Sequence, residues 1–479
     1  MKQKLLSFIA ALFSLPLFAL SVDSSSFFHE PITPSRERYV MYVNIYDWGP
    51  AVDFAVVNVG LPVAVSDLHR EDFEVGVFGM SAGKKIDIVT GYREVTDVFL
   101  CDENGSKLSE EKGQYIALCM SVHPDDSISN PFVSFPASIL KKGIKTLRVR
   151  NSALSIDIAK TDGVNCPLLS GFSEDCFEKD EYAMHYASWI PEIKDSAQKV
   201  PLIVWLHGIS EGGEDGLAPL VACRVGELTK KEVQSSFGEN GVALLVPQAK
   251  TSWLESTTKD VFGNNIWVPV DIEEPVKSLS KKLAGKLTQL FDRISVDSGQ
   301  FEAEFPEKEP TATVSIYTEV LKDLIVNYIA EHSEIDENRI YIGGFSAGGY
   351  MTVNMILRYP ELFAAAFPVS EVYPNSKLTK GDIEELSKMP LWFVHSKDDG
   401  VAKIEKYDFA TVRRLEDIGA QNLHYTLYNC IVDVDGLYFD EDENVWQYSG
   451  HDAHIPLFRG EVYEEGLSIF DWLASNRRK

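Results

Sequence analysis

Arg339-Ile-Tyr-Ile-Gly-Gly-Phe-Ser-Ala-Gly-Gly-Tyr350 is a short apolar run that leads straight into a glycine-flanked serine, and its reading decides the fold. A serine on a very tight strand-to-helix turn must adopt a strained backbone, which only small neighbours such as Gly344 and Gly348 permit. Such a turn lifts the hydroxyl of Ser346 clear of a sheet, as a nucleophile requires. It also leaves the backbone N–H of Ala347 at the start of the next helix, where it can stabilise an oxyanion. The flanks agree. Behind Ser315, a candidate N-cap, Ile316, Val320, Leu321, Leu324, Ile325, Tyr328 and Ile329 recur at helical spacing. Asp336 to Asn338 reads as a polar turn, Ile340 to Ile342 as a strand, and Gly349 to Arg358 as a helix stopped by Pro360.

A second run, Pro201-Leu-Ile-Val-Trp-Leu206, is continuously apolar, as strands buried on both faces of a parallel sheet are, and it ends in His207-Gly208. That ending resembles the oxyanion loop of the α/β-hydrolases. The resemblance implies that the N–H of Ile209 is a second oxyanion donor beside that of Ala347, with His207 holding the loop. It also implies the chain order serine, acid, histidine. His451, in a loop before a final helix expected over Val462 to Asn476, is then the base, with His454 as the alternative. His424 reads as a strand side chain in the alternating run Leu423 to Tyr428. For the acid, the buried-type strand Met389 to His395 runs into Asp398 and Asp399. The hydrolase pattern H-G-x-x-D-x-x-V-P aligns His395 with its first position and Asp399 with its acid. This chain has Val401-Ala402-Lys403 where the pattern has Val-Pro, which keeps Asp398 open.

Together the segments W-L-H-G-I-S-E-G-G, V-P-Q-A-K-T-S-W, S-I-Y-T-E, the serine turn, the strand through Trp392 to Asp399 and Y-S-G-H closely resemble bacterial secreted esterases of the α/β-hydrolase superfamily. These lie near the prolyl oligopeptidase and polyhydroxybutyrate depolymerase families and carry an immunoglobulin-like domain in front of the hydrolase. The resemblance covers roughly Tyr182 to the C-terminus and implies a pocket near Gln248 and Trp253. It does not fix the substrate.

A chain of 479 residues exceeds what one hydrophobic core usually organises. Residues 1–21 read as an export signal: Lys2 and Lys4, an apolar stretch too short for a confident membrane span, and Ala19-Leu-Ser21 as a cleavage site. This predicts a secreted or periplasmic protein. Losing the two lysines takes the formal charge from -27 to -29, which argues against nucleic acid or an anionic membrane as partner. Residues 37–160 show short β-type runs between Gly, Asp, Asn and Pro clusters, the rhythm of an all-β sandwich. Residues 161–180 read as a connector, and 181–479 as an α/β-hydrolase, a mostly parallel sheet flanked by helices. An inserted cap-like segment, 255–313, holds an amphipathic pattern from Val276 to Ile294.

No metal-ligating spacing appears and no cofactor is implied. Six cysteines in an exported chain suggest disulfides, with Cys101–Cys119 and Cys166–Cys176 the expected pairs and Cys223 and Cys430 undecided. The function expected is a serine hydrolase cleaving small or medium acyl esters through an acyl-enzyme. A prolyl-oligopeptidase-type peptidase and a non-catalytic binding protein with a hydrolase fold are the alternatives.

Overall fold

The computed structural model describes residues 27–80, 87–132, 143–256, 259–261, 263 and 314–478. The expected export signal and the amphipathic pattern over 276–294 lie outside these residues.

Among the described residues, nine strands form the first unit: β1 (Arg38–Tyr46), β2 (Gly49–Ala64), β3 (Glu74–Met80), β4 (Asp87–Arg93), β5 (Val95–Cys101), β6 (Lys112–Met120), β7 (Thr146–Asn151), β8 (Ile156–Ile158) and β9 (Thr161–Asn165). They make two sheets, β5-β6-β2-β1-β9 and β4-β3-β7-β8. Tyr39, Met41, Val43 and Ile45 of β1 share a buried cluster with Val75 and Val77 of β3 and Leu147 and Val149 of β7. The spacing is the period of two that a strand with one core-facing side imposes.

The expected disulfides are not present; all six cysteines are free. Register explains the first. β5 and β6 pair so that Cys101 faces Tyr115 while Cys119 faces Asp97, which sets the two thiols at opposite ends of the ladder. Cys166 is buried against the sandwich core, whereas Cys176 lies opposite His185 in another sheet.

The stretch expected as a connector supplies a strand to each sheet system. β9 pairs with β1 of the sandwich, and β10 (Ser173–Lys179) opens the second unit. That unit is an eight-stranded sheet in the order β10-β11-β13-β12-β14-β15-β16-β17, with β11 (Tyr182–Trp189), β12 (Val200–Leu206), β13 (Ala243–Gln248), β14 (Ile335–Phe345), β15 (Ala365–Val369), β16 (Leu391–Ser396) and β17 (Leu423–Tyr428). Pairing is antiparallel from β10 to β13 by way of β11 and parallel from β13 to β17. All seven residues of β12 are buried, as a strand covered on both faces must be.

Helices α1 (Tyr317–Glu331), α2 (Ala347–Arg358), α3 (Lys380–Leu386), α4 (Asp408–Asp417), α5 (His454–Phe458) and α6 (Ile469–Ser475) accompany the sheet. The last helix starts later than its apolar pattern predicts. Tyr463–Glu464 and Leu467–Ser468 pair as short strands, and Ser468 then caps the helix by accepting from the Asp471 N–H (3.0 Å). At the head of α1, the Ile316 N–H donates to the Glu255 carbonyl (2.9 Å) and the Tyr317 hydroxyl to the Glu255 carboxylate (3.0 Å), which ties the start of that helix to Glu255.

The two units share a buried interface. The short helix Ala218–Ala222 packs on β2, and its apolar residues join the sandwich cluster. Asp47, in the β1–β2 turn, is buried and accepts from Arg224 (2.6 Å) and from Nε of Arg459 (2.9 Å), with the Tyr448 hydroxyl at 3.3 Å. Beside it, Trp48 meets Tyr438 edge-on, and the His123 ring contacts Tyr438 and Trp446. Among the described residues, no helix is long and apolar enough to cross a membrane.

Candidate active site

Ser346 stands between β14 and α2 with φ 58° and ψ −112°, a strained backbone for a residue with a side chain. Close approach dictates the flanking glycines. A Cβ on Gly348 would lie 2.0 Å from the Leu206 carbonyl oxygen, and one on Gly344 would lie 2.6 Å from the Gly348 backbone. The start of α2 is therefore pressed against the end of β12. This brings Ala347, the first residue of α2, to the side of the sheet where β12 ends and Ile209 opens the turn Ile209–Glu211. The turn is held by the Ser346 N–H donating to the Val369 carbonyl (2.9 Å).

Two side chains from the ends of β14 and β16 meet here with a third from the loop just before α5. Nε2 of His451 lies 2.9 Å from Ser346 Oγ, and Nδ1 lies 2.7 Å from Oδ2 of Asp399. The other oxygen of Asp399 accepts from the N–H groups of Val401 and Ala402, both at 2.7 Å, so the loop after β16 folds around that carboxylate despite lacking the Val-Pro of the hydrolase pattern. Burial works against its charge, but the imidazoles of His451 and His395 more than offset this and hold the carboxyl well below the usual range. Asp398 points elsewhere, to Ser396 Oγ (2.5 Å) and Gln447 (2.8 Å). His454 lies buried against Phe345, where desolvation pushes its pKa down to about 3. His424 stacks on Trp392 and bonds Glu464.

The loop after β12 is braced from behind. His207 Nε2 accepts from the Ala249 N–H (2.9 Å), which makes Nδ1 the protonated nitrogen that donates to the Gly208 carbonyl (2.6 Å). Burial pushes its pKa down to about 4, so the ring is neutral. Gln248 and Trp253, expected at the pocket, instead belong to this brace. Gln248 accepts from the N–H groups of Asp215 and Gly216 and donates to the Glu211 carbonyl (3.0 Å). Fully buried Trp253 donates its indole N–H to the His207 carbonyl (2.9 Å). Aromatic and amide residues beside an oxyanion-type loop do not reveal from sequence which side of it they occupy.

Sequence reasoning also misses several titratable groups. Glu211 is buried within the loop, desolvation pushes its pKa up to about 8, and Cys223 is its hydrogen-bond partner. Asp452, next to His451, is pushed up to about 6 by burial. His395 has Nε2 at 2.8 Å from Asp399 and Nδ1 at 2.6 Å from Asp408 at the head of α4. Its place at a strand end is visible in the sequence, but its second partner comes from a different element.

The fold and the nucleophile-type turn together define an α/β-hydrolase preceded by a β-sandwich. Comparison with known proteins narrows the class: residues 38–166 match the family of esterase Ig-like N-terminal domains, and residues 297–416 match the phospholipase/carboxylesterase family. The chain thus joins a domain similar to the esterase Ig-like N-terminal domains to one similar to the carboxylesterase-type hydrolases. It is similar in fold to the crystal structure of a thermostable esterase (TM-score 0.62, 22% identity, 92% of this chain and 100% of that one). A stretch of 50 residues is 44% identical to poly(3-hydroxyalkanoate) depolymerase C of Paucimonas lemoignei, covering 10% of this chain and 12% of that relative's length.

Proposed function

We propose that the protein is an extracytoplasmic serine esterase in which Ser346 is the nucleophile, His451 the base and Asp399 the acid that orients it. The observation that carries this is the unbroken hydrogen-bonded line from Ser346 Oγ through His451 to Asp399, starting at a strained strand-to-helix turn. His451 Nε2 takes the hydroxyl proton as Oγ attacks the ester carbonyl. Asp399 fixes the tautomer that leaves Nε2 free to accept and then stabilises the imidazolium. The N–H groups of Ile209 and Ala347 receive the negative charge on the former carbonyl oxygen; each such donor is worth about 10²- to 10³-fold in rate. His451 returns the proton to the departing alcohol, leaving an acyl group on Ser346. Water, deprotonated by the same ring, then releases the acid.

The carboxylesterase-type family match and the short similarity to a polyester depolymerase favour an ester over an amide bond, and small or medium acyl esters are the proposed substrates. Export is supported by the charged and apolar leader of residues 1–21. The test is a fluorophosphonate probe followed by peptide mapping, beside chromogenic ester and aminoacyl-amide panels. The expected result is adduct on Ser346 and turnover of esters. Absence of label on Ser346 in the folded protein, or turnover confined to amides, overturns the proposal.

A further inference from the structure

The hydrogen-bonded line does not stop at Asp399. Oδ2 of that carboxylate, the oxygen facing His451, is also 2.8 Å from Nε2 of His395, and the far side of that ring is 2.6 Å from Asp408. His395, Asp399 and Asp408 have side chains with no more than 1% exposure. A ring between two carboxylates, one at each nitrogen, can donate at both only as an imidazolium.

We propose that His395 is a positioning residue for the esterase reaction, a fixed imidazolium clamped between Asp399 and Asp408 that aims the Asp399 carboxylate at His451 and partly neutralises it. This rests on the reading of Ser346, His451 and Asp399 as the catalytic groups. Burial by itself disfavours charge on the ring; the charge of Asp408 and the hydrogen bonds to both carboxylates prevail and push its pKa up to about 10. Burial also raises the Asp408 carboxyl, and the charge of His395 works against that rise.

Among the described residues, the other groups around the ring do not supply a competing cation. Glu371, from the segment after β15, is driven well above the usual carboxyl range by burial and by the charge of Asp408, so it stays protonated. Tyr425 of β17 faces Asp408, and burial keeps its phenol protonated. Asp452 and His451 stand on the other side of Asp399. With Glu371 neutral, Asp399, His395 and Asp408 carry one net negative charge, which the proton taken up by His451 during attack cancels. A carboxylate already in contact with a cation attracts that proton less than a bare one would. His395 therefore offsets part of the pull that Asp399 exerts on that proton.

Two measurements test this. In protein with ¹⁵N-labelled histidine, His395 is expected to keep both ring nitrogens protonated from pH 5 to about 9, near its shifted pKa. In His395→Gln, which retains a donor for Asp399 but no charge, the acidic limb of the kcat/KM profile is expected to move up by about one pH unit. kcat should fall by about 10- to 100-fold with KM nearly unchanged. A His395 that is singly protonated in the wild-type protein overturns the proposal, whether or not the variant folds. So does an unmoved limb in a folded variant whose Ser346 still takes the fluorophosphonate label, and this outcome leaves the esterase reading intact. Failure of that label in the wild-type protein overturns both.

Discussion

Two buried carboxylates flank the segment that carries His451, and they are satisfied in opposite ways. Asp399 accepts from two imidazoles and two backbone N–H groups inside the hydrolase unit. Asp47 reaches in from the sandwich and is held by the guanidinium groups of Arg224 and Arg459, with Tyr448 close by. Burial opposes the charge on both, and in both the cationic partners win and hold the carboxyl below its usual range. The difference lies in the partners. Guanidinium keeps its charge at any working pH, so Asp47 is a fixed rivet; imidazole can gain and lose a proton, so the surroundings of Asp399 can change charge within a catalytic cycle. The stretch from Tyr448 to Arg459 is therefore tied to Asp47 at both ends and carries His451 in its middle. On this account the sandwich has a mechanical part in the site without contributing a reacting group.

The sharpest way to break the comparison is to remove the reacting groups. Ser346→Ala or His451→Ala should lower ester kcat by about 10⁶-fold, and Asp399→Asn by about 10⁴-fold. Unfolding curves should show a retained fold for Ser346→Ala. Asp47→Ala should do the reverse. Stranding two partly buried guanidinium groups is expected to cost about 2–3 kcal/mol in urea unfolding, less than for a fully enclosed pair because the Arg224 side chain remains 22% exposed. Its kcat should fall by no more than about tenfold. If Asp47→Ala instead matched the loss of Asp399→Asn at unchanged stability, the division between rivet and reacting group would be wrong.

A third prediction concerns Glu211, a buried carboxyl whose pKa desolvation pushes up to about 8. The native state holds this proton more tightly than the unfolded chain does. Its contribution to stability is thus complete below the ordinary carboxyl range and is lost as pH rises towards 8. The melting temperature of the wild-type protein should fall more steeply between pH 5 and 9 than that of Glu211→Gln, and equal slopes would contradict this. The smallest effect is expected from Asp398→Asn. Its partners are Ser396 and Gln447 and not His451, so kcat should change by less than about tenfold.

What the sequence makes legible follows from how local each feature is. The serine turn can be read because strand, glycines and helix adjoin in the chain, and the close contacts that demand glycine lie within that unit and its neighbour β12. Choosing between Asp398 and Asp399 depends on which carboxylate the loop N–H groups of Val401 and Ala402 enclose, a matter of backbone path that the missing Val-Pro leaves unstated. The cysteines of β5 and β6 invite a bridge only until register is known. Asp47 and Asp408 carry no signal at all, because what makes each important is a partner brought in by tertiary packing from 13 to 412 positions away. The pattern over 276–294 lies outside the described residues, so its expected cap-like role stays an expectation.

The hydrogen bond between the Ile316 N–H and the Glu255 carbonyl clasps the head of α1 to the segment that follows β13. Beside that clasp Trp253 and Tyr317 meet edge-on, and Trp253 in turn donates its indole N–H to the His207 carbonyl. The head of α1 and the loop after β12 are thus one mechanical piece, so a change that shifts the start of that helix is transmitted to the loop through a single indole ring.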